Sequence, residues 1–295
     1  MYVNREAAIF SASQSSVTIP PMNVRFVAAM LLLAAPAAAQ TVSGTTPSGI
    51  FYEASGAGTP VVLAHAFSVD RRMWESQIRM LEASFRVVRY DLRGHGRSAA
   101  PSGPYSGYGD LREVLDALKI DRTAIVGLSA GSEVAVNFAL NYPDRVNRLV
   151  LASPGLGGYR VPPIPWAAPV FQAAASGDAQ TAAKLWAETP IMTLQAGGPA
   201  RDTIRSLVME NWRLWTYRRT EVALTPSAVN RLAEIHVPVL VIVGEADLSY
   251  IRDIGMVIAK GVVNGRLTEI AGARHFVNID NPDEFNRDLL AFLRQ

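Results

Sequence analysis

Short runs of apolar residues alternate along this chain with longer stretches in which apolar positions recur every three to four residues. Runs that are continuously apolar, rather than alternating, mark strands buried on both faces. They occur at 61–64 (VVLA), 86–90 (RVVRY), 123–127 (TAIVG), 149–152 (LVLA) and 238–243 (PVLVIV), with a weaker run at 266–270 (RLTEI). Residues 49–53 are expected to begin the sheet, in an antiparallel hairpin. Helical spacing predicts helices over about 71–83, 108–119, 130–142, 249–260 and 282–294. In the third, Val134, Phe138 and Ala139 share one face, and Asn141-Tyr142-Pro143 ends it because proline cannot continue the hydrogen-bonded ladder. This alternation predicts an α/β fold, with a mostly parallel sheet and helices on both faces.

Residues 154–233 interrupt the alternation. They open on PGLGGYRVPPIPW, whose prolines and glycines mark a boundary. Helical patterns follow at 178–188 and 200–215, the latter with Ile204, Leu207, Val208, Trp212 and Trp215 on one apolar face. A segment this long is more than an ordinary loop. It is expected to be a helical lid, inserted after the fourth strong strand, over the strand edge where open α/β sheets bind ligands. The core domain is then 40–153 together with 234–295. Four of the five tryptophans, Trp166, Trp186, Trp212 and Trp215, lie in the insert. Most should pack it onto the body and a minority should line a substrate pocket.

Composition narrows the possibilities. The 295 residues are 49% hydrophobic and 18% charged, as in globular proteins. The net charge of +2 and the lack of like-charge runs give no reason to expect nucleic acid as a partner. With no cysteine, thiol catalysis, disulfides and Cys-ligated zinc are excluded. The four histidines, His65, His95, His236 and His275, show no metal-ligand spacing, so no bound metal is expected. Residues 1–39 read as a leader. Met22-Asn23-Val24-Arg25 begins a positively charged start, 26–35 (FVAAMLLLAA) is an apolar core too short to span a bilayer, and Ala37-Ala38-Ala39 offers a cleavage site. Translation from Met22, cleavage after Ala39 and export to the periplasm or medium, without stable membrane insertion, are the expectations.

The chemistry concentrates at strand ends. Residues 126–133 read VGLSAGSE, a G-x-S-x-G pattern that falls between a predicted strand and a predicted helix, the context it needs to present a serine nucleophile. Ser129 is the candidate, and a serine that merely caps the helix is the competing reading. A serine needs a base. His275 lies on a loop after the last strand, at the same sheet edge as Ser129, whereas His236 precedes its strand and is at the opposite edge. His65 and the DLRGHGRS turn, with Asp91, Arg93, His95 and Arg97, read better as residues that hold loops together. Asp247 directly follows the PVLVIV strand and is the candidate acid for His275, with Glu245 as its rival. Asp280 and Asp283, around Pro282, read as helix-start residues.

These segments together, with 63–74 (LAHAFSVDRRMW), 90–98 (YDLRGHGRS), 244–247 (GEAD) and 272–276 (GARHF), resemble the α/β-hydrolase fold family over most of residues 49–295 outside the insert. The resemblance implies an eight-stranded-type sheet and the triad order Ser129, Asp247, His275. By position, it implies that the backbone N–H groups of Phe67 and Ala130 form an oxyanion hole. Two positions depart from the family pattern: Ala66 replaces the glycine of the usual His-Gly, and Ser132 replaces a second glycine after the serine. The function implied is a cofactor-free serine hydrolase acting on an ester-like bond of a small-to-medium, largely apolar molecule. Trp166, Trp186, Trp212, Trp215 and Phe276 are the expected pocket residues. Related chains with the same triad include lactonases, carbon–carbon bond hydrolases, aminopeptidases and perhydrolases, and the fold also hosts non-catalytic binding proteins.

Overall fold

A computed structural model describes residues 41–218 and 220–295; the expected leader lies outside the described residues. Eight strands form one sheet: β1 (Val42–Thr45), β2 (Phe51–Gly56), β3 (Thr59–Ala64), β4 (Phe85–Tyr90), β5 (Thr123–Leu128), β6 (Val146–Ala152), β7 (Pro238–Gly244) and β8 (Asn264–Ile270). Their order across the sheet is β1-β2-β4-β3-β5-β6-β7-β8. The expected hairpin is β1–β2, antiparallel, and β2 also runs antiparallel to β4. Every other pairing is parallel. The central strand β5 is buried at all six positions. Ala124, Val126 and Leu128 face one core layer and Ile125 the other, as the two-residue period requires. At the edge, β8 is largely exposed, which explains why its sequence signal is weak.

The helices α2 (Gly107–Ala117), α3 (Ala130–Asn141) and α7 (Ser249–Gly261) bury their apolar faces on one side of the sheet. On the other side lie α1 (Glu75–Glu82) and α9 (Pro282–Leu293), together with the helices that follow β6. Those are α4 (Ala168–Ala175), α5 (Ala179–Ala187) and α6 (Pro199–Glu210). A single turn, α8 (Val277–Asp280), precedes α9.

Two local expectations are corrected and one helix is added. The helix over 200–215 ends at Glu210 and continues as a 3-10 turn over Trp212–Thr216. Asn211 causes the break: its buried amide donates to Leu207 O at 2.8 Å and accepts from Gly96 N at 2.7 Å, tying the helix end to a loop of the core. The stretch around 168–175 is helical, with Pro169 in its first turn, where a missing N–H costs nothing. At α9 the cap is Asn281, whose side chain accepts from Glu284 N. Asp280 does not start that helix; its carboxylate instead accepts from Arg274 N at 2.8 Å and Ala196 N at 3.0 Å.

Candidate active site

Ser129 sits where β5 gives way to α3, with φ 55° and ψ −112°. A non-glycine residue there is strained by roughly 1–3 kcal/mol, so the surroundings must hold it. They do so through the backbone. Ser129 N donates to Ala152 O at 3.0 Å, and Ser129 O accepts from Ser132, Glu133 and Gly155 at 3.0–3.2 Å. The turn is tight enough that a methyl group on Gly127 would overlap the Gly131 carbonyl, and one on Gly131 would overlap the Ala64 carbonyl. Ser132, at the second departure from the family pattern, is fully buried; its hydroxyl donates to Gly127 O at 2.8 Å and so tightens the same turn. Ser129 occupies the helix N-cap position but its hydroxyl caps nothing. The capping reading is therefore overturned: Ser129 bears the strain of a cap position without making the cap bond.

His275 and Asp247 are both buried, and His275 Nδ1 lies 3.1 Å from Asp247 Oδ2. A carboxylate oxygen only accepts, so Nδ1 is the donor; in a neutral ring with that tautomer the lone pair lies on Nε2. The other oxygen, Oδ1, accepts from Leu248 N at 2.7 Å, which fixes the carboxylate. Glu245, the rival acid, is exposed and accepts from Gly272 N instead. Ser129 and His275 follow β5 and β8, three strands apart, so the loop after β8 must cross back over the sheet edge. Hydrogen bonds carry it in that direction: Ala246 N donates to Ala273 O, and beyond His275 the Asn278 amide reaches Met73 O and Gln77 in the segment that follows β3.

The loop after β3 carries Phe67. His65 Nδ1 donates to Ala66 O at 2.7 Å. That carbonyl belongs to the same peptide plane as the Phe67 N–H and points the opposite way, so His65 aims the amide. His65 Nε2 accepts from Leu92 N, and His95 Nε2 accepts from Ser68 N. Both imidazoles are thus held neutral. Burial pushes His65 down to about 4 and His95 down to about 3. Beneath them, Arg71 bridges Glu53 and Asp91 at 2.9 Å each, and Arg93 pairs with Asp110. Burial alone would raise Asp70, but hydrogen bonds from Arg72 hold it at about 2. Ala66 is accommodated because its methyl is buried in the core and the left-handed residue of the loop is Ser68, at φ 68°. Ala130 is the first residue of α3, so its N–H has no acceptor within the helix.

Phe67 and Ala130 both line one cavity of about 420 Å³. Its apolar wall includes Leu92, Val134, Phe171, Leu214 and Trp215. Of the expected pocket aromatics, only Trp215 is on this wall. Phe276 is almost fully buried in the core with its ring edge-on to His275, and Trp186 is buried with its N–H bonded to Ser68 Oγ. Trp166 packs against Trp186, and Trp212 lies under the Arg213 guanidinium. Phe171 and Leu214 carry no motif and fall on no predicted apolar face, so the sequence offered no signal for them. Among the described residues no cluster of His, Asp and Glu is arranged to hold a metal ion, and no helix is long and apolar enough to cross a membrane.

With that geometry in place, comparison decides the family: the alpha/beta hydrolase family profile matches residues 61–288. The chain belongs to the alpha/beta hydrolase family. A putative 2-succinyl-6-hydroxy-2,4-cyclohexadiene-1-carboxylate synthase of Bacillus subtilis is 30% identical over 271 residues, covering 86% of this chain and 98% of its own. Among solved structures, a thermophilic esterase from Thermogutta terrifontis is 26% identical with a TM-score of 0.73, covering 87% of this chain and 98% of its own. The enol-lactonase of Burkholderia xenovorans LB400 is also 26% identical, with a TM-score of 0.71 and coverage of 86% and 100%. The chain therefore shares its architecture with an esterase and an enol-lactonase.

Proposed function

We propose that this alpha/beta hydrolase is a serine hydrolase cleaving a carboxylic ester through an acyl-enzyme. The observation that carries the reading is Ser129 itself, held at a strained φ with a hydroxyl that caps nothing. Ser129 Oγ attacks the substrate carbonyl while His275 Nε2 takes its proton. Asp247 holds the imidazole in the required tautomer and stabilises the imidazolium. The Phe67 and Ala130 N–H groups receive the developing oxyanion, aided by the positive end of α3. Collapse of the tetrahedral adduct expels the alcohol, protonated by His275. Water, activated by the same histidine, then releases the acid and restores Ser129.

A cavity of about 420 Å³ with a largely apolar wall supports a small-to-medium, mainly apolar acyl substrate. The segment 154–233 acts as a lid over it. A cyclic ester undergoes the same chemistry, and the likeness to an enol-lactonase places a lactone early in any substrate panel. The test is a fluorophosphonate probe followed by ester, lactone and amide substrates. Wild type is expected to label and to hydrolyse esters, and Ser129→Ala to do neither; hydrolysis that survives Ser129→Ala would defeat the mechanism. We also propose export with removal of residues 1–39, which an N-terminus at Gln40 on secreted protein would support and an intact leader would refute.

A further inference from the structure

Ser68 has the left-handed φ of 68° that a side chain adopts only when something holds it. It directly follows Phe67, so its conformation sets the flank of the oxyanion donor. Anchors from the core reach both neighbours of Phe67. Ala66 N donates to Met73 Sδ at 3.3 Å, Ala66 O accepts from His65, and Ser68 N donates to His95 Nε2 at 3.3 Å. The Ser68 side chain has a different partner. Its Oγ accepts from Trp186 Nε1 at 2.7 Å, in a buried hydrogen bond spanning 118 residues of sequence. Trp186 is on α5, so this bond comes from the inserted segment rather than the core.

The same indole grips the Phe67 ring. Trp186 and Trp215 each meet it edge-on, with centroids 5.7 and 5.6 Å away, and they pack on each other at 5.7 Å. His95 meets the ring from the core side at 5.7 Å. Phe67 is thus clamped between core and insert, and Trp215 is in addition a wall of the cavity. Hydrophobic packing alone would be satisfied by any large ring at 186; a buried N–H placed on a strained serine beside an oxyanion donor is a more specific arrangement.

We propose that Trp186 is a positioning residue for the oxyanion hole: its N–H···Ser68 bond holds the Phe67 amide in line, so that the hole is complete only while the insert is seated. The proposal rests on the serine-hydrolase reading above. Such a residue acts on the transition state more than on the ground state, because an amide displaced by a fraction of an ångström still admits substrate but stabilises the oxyanion poorly.

The test compares the full chain with Trp186→Phe, Ser68→Ala and the double variant. Trp186→Phe keeps a ring against Phe67 and deletes the donor; Ser68→Ala keeps the indole and deletes the acceptor, so one variant informs if the other fails to fold. Hydrolysis of a p-nitrophenyl ester is read as kcat and KM. Binding is measured for a trifluoromethyl ketone, which adds to Ser129 and forms an oxyanion, and for the matching secondary alcohol, which cannot. Each single variant is expected to lower kcat by about 10-fold with KM little changed, a fraction of the cost of losing a donor outright. Ketone affinity should fall by the same factor and alcohol affinity should hold. The double variant should be no worse than the weaker single, since one bond is lost in every case. A kcat within about twofold of wild type in Trp186→Phe, or equal losses for ketone and alcohol, would overturn the proposal and leave Trp186 as packing only. Undiminished hydrolysis by Ser129→Ala would instead sink the serine mechanism, and this proposal with it.

Discussion

Two regions of the sheet edge use histidine in opposite ways. Beyond β3 and β4, His65 and His95 are buried among backbone amides, each accepting at Nε2 from an N–H and donating at Nδ1 to a carbonyl. Burial keeps both rings neutral, and a neutral ring is what an amide needs as acceptor. Beyond β7 and β8, His275 meets a carboxylate at 3.1 Å, and among the described residues no backbone acceptor bonds to Nδ1. A proton taken by His65 or His95 would break a hydrogen bond that positions a loop. In the proposed mechanism, a proton taken at His275 Nε2 would leave the Asp247 bond in place. The partner of Nδ1, rather than the histidine itself, separates the structural residues from the proposed base.

The sharpest way to break this comparison is to remove the proposed base. His275→Ala, like Ser129→Ala, is expected to cut kcat by about 10⁴–10⁶ with the fold intact, measured as ester hydrolysis alongside thermal melting. Asp247→Asn replaces the acceptor on Nδ1 with an amide that can present a donor, and about 10⁴ in kcat should go with it through the wrong tautomer. On the other side, His65→Ala leaves the Ala66 carbonyl and the Leu92 amide unpaired inside the core. The expected cost is about 1–3 kcal/mol per buried group, visible as a lower midpoint in urea.

Acid should separate the regions as well. Above pH 6.5, the ordinary histidine value, His65 and His95 are neutral folded or unfolded and add no pH dependence. As pH falls from 6.5 toward about 4 for His65 and about 3 for His95, the unfolded chain takes up protons that the folded chain refuses. Stability therefore drops with pH across that window, by about 1.4 kcal/mol per unit for each histidine. Melting temperature from pH 7 to 4.5 measures the slope, and a folded His95→Gln variant should show a shallower one; an unchanged slope would remove His95 from the account. The smallest effect belongs to Glu245→Gln. That carboxylate is exposed and bonded to Gly272 N, so kcat should stay within about twofold of wild type, and a large loss would return Glu245 to candidacy as the acid.

The elements carrying the candidate chemistry were legible because their signals are local. Continuous apolar runs gave β3 to β7, and the glycines around Ser129 marked the turn at which a methyl would collide with backbone. Side-chain roles that depend on distant partners were not legible. Asn211 lies inside the expected helix of 200–215, and nothing in its neighbours shows that its amide is tied to Gly96. Asp280 looked like a cap, but its carboxylate holds the loop of His275. Three tryptophans expected at the pocket pack elsewhere, because composition places them in the insert without saying which way each one faces, and Phe276, next to His275 in sequence, is buried in the core.

By itself, the sequence determined the α/β alternation, the serine between a strand and a helix, and an acid and a histidine after later strands. Period, breaker residues and chain order are properties of neighbouring positions, and they need no knowledge of what folds against them. Only the tertiary structure decided that Ser129 caps nothing, that His275 rather than His65 faces a carboxylate, and that Trp186 reaches across 118 residues to Ser68. Each of those facts depends on which groups meet inside the fold, where an amide, a carboxylate or an indole N–H selects its partner by distance and direction.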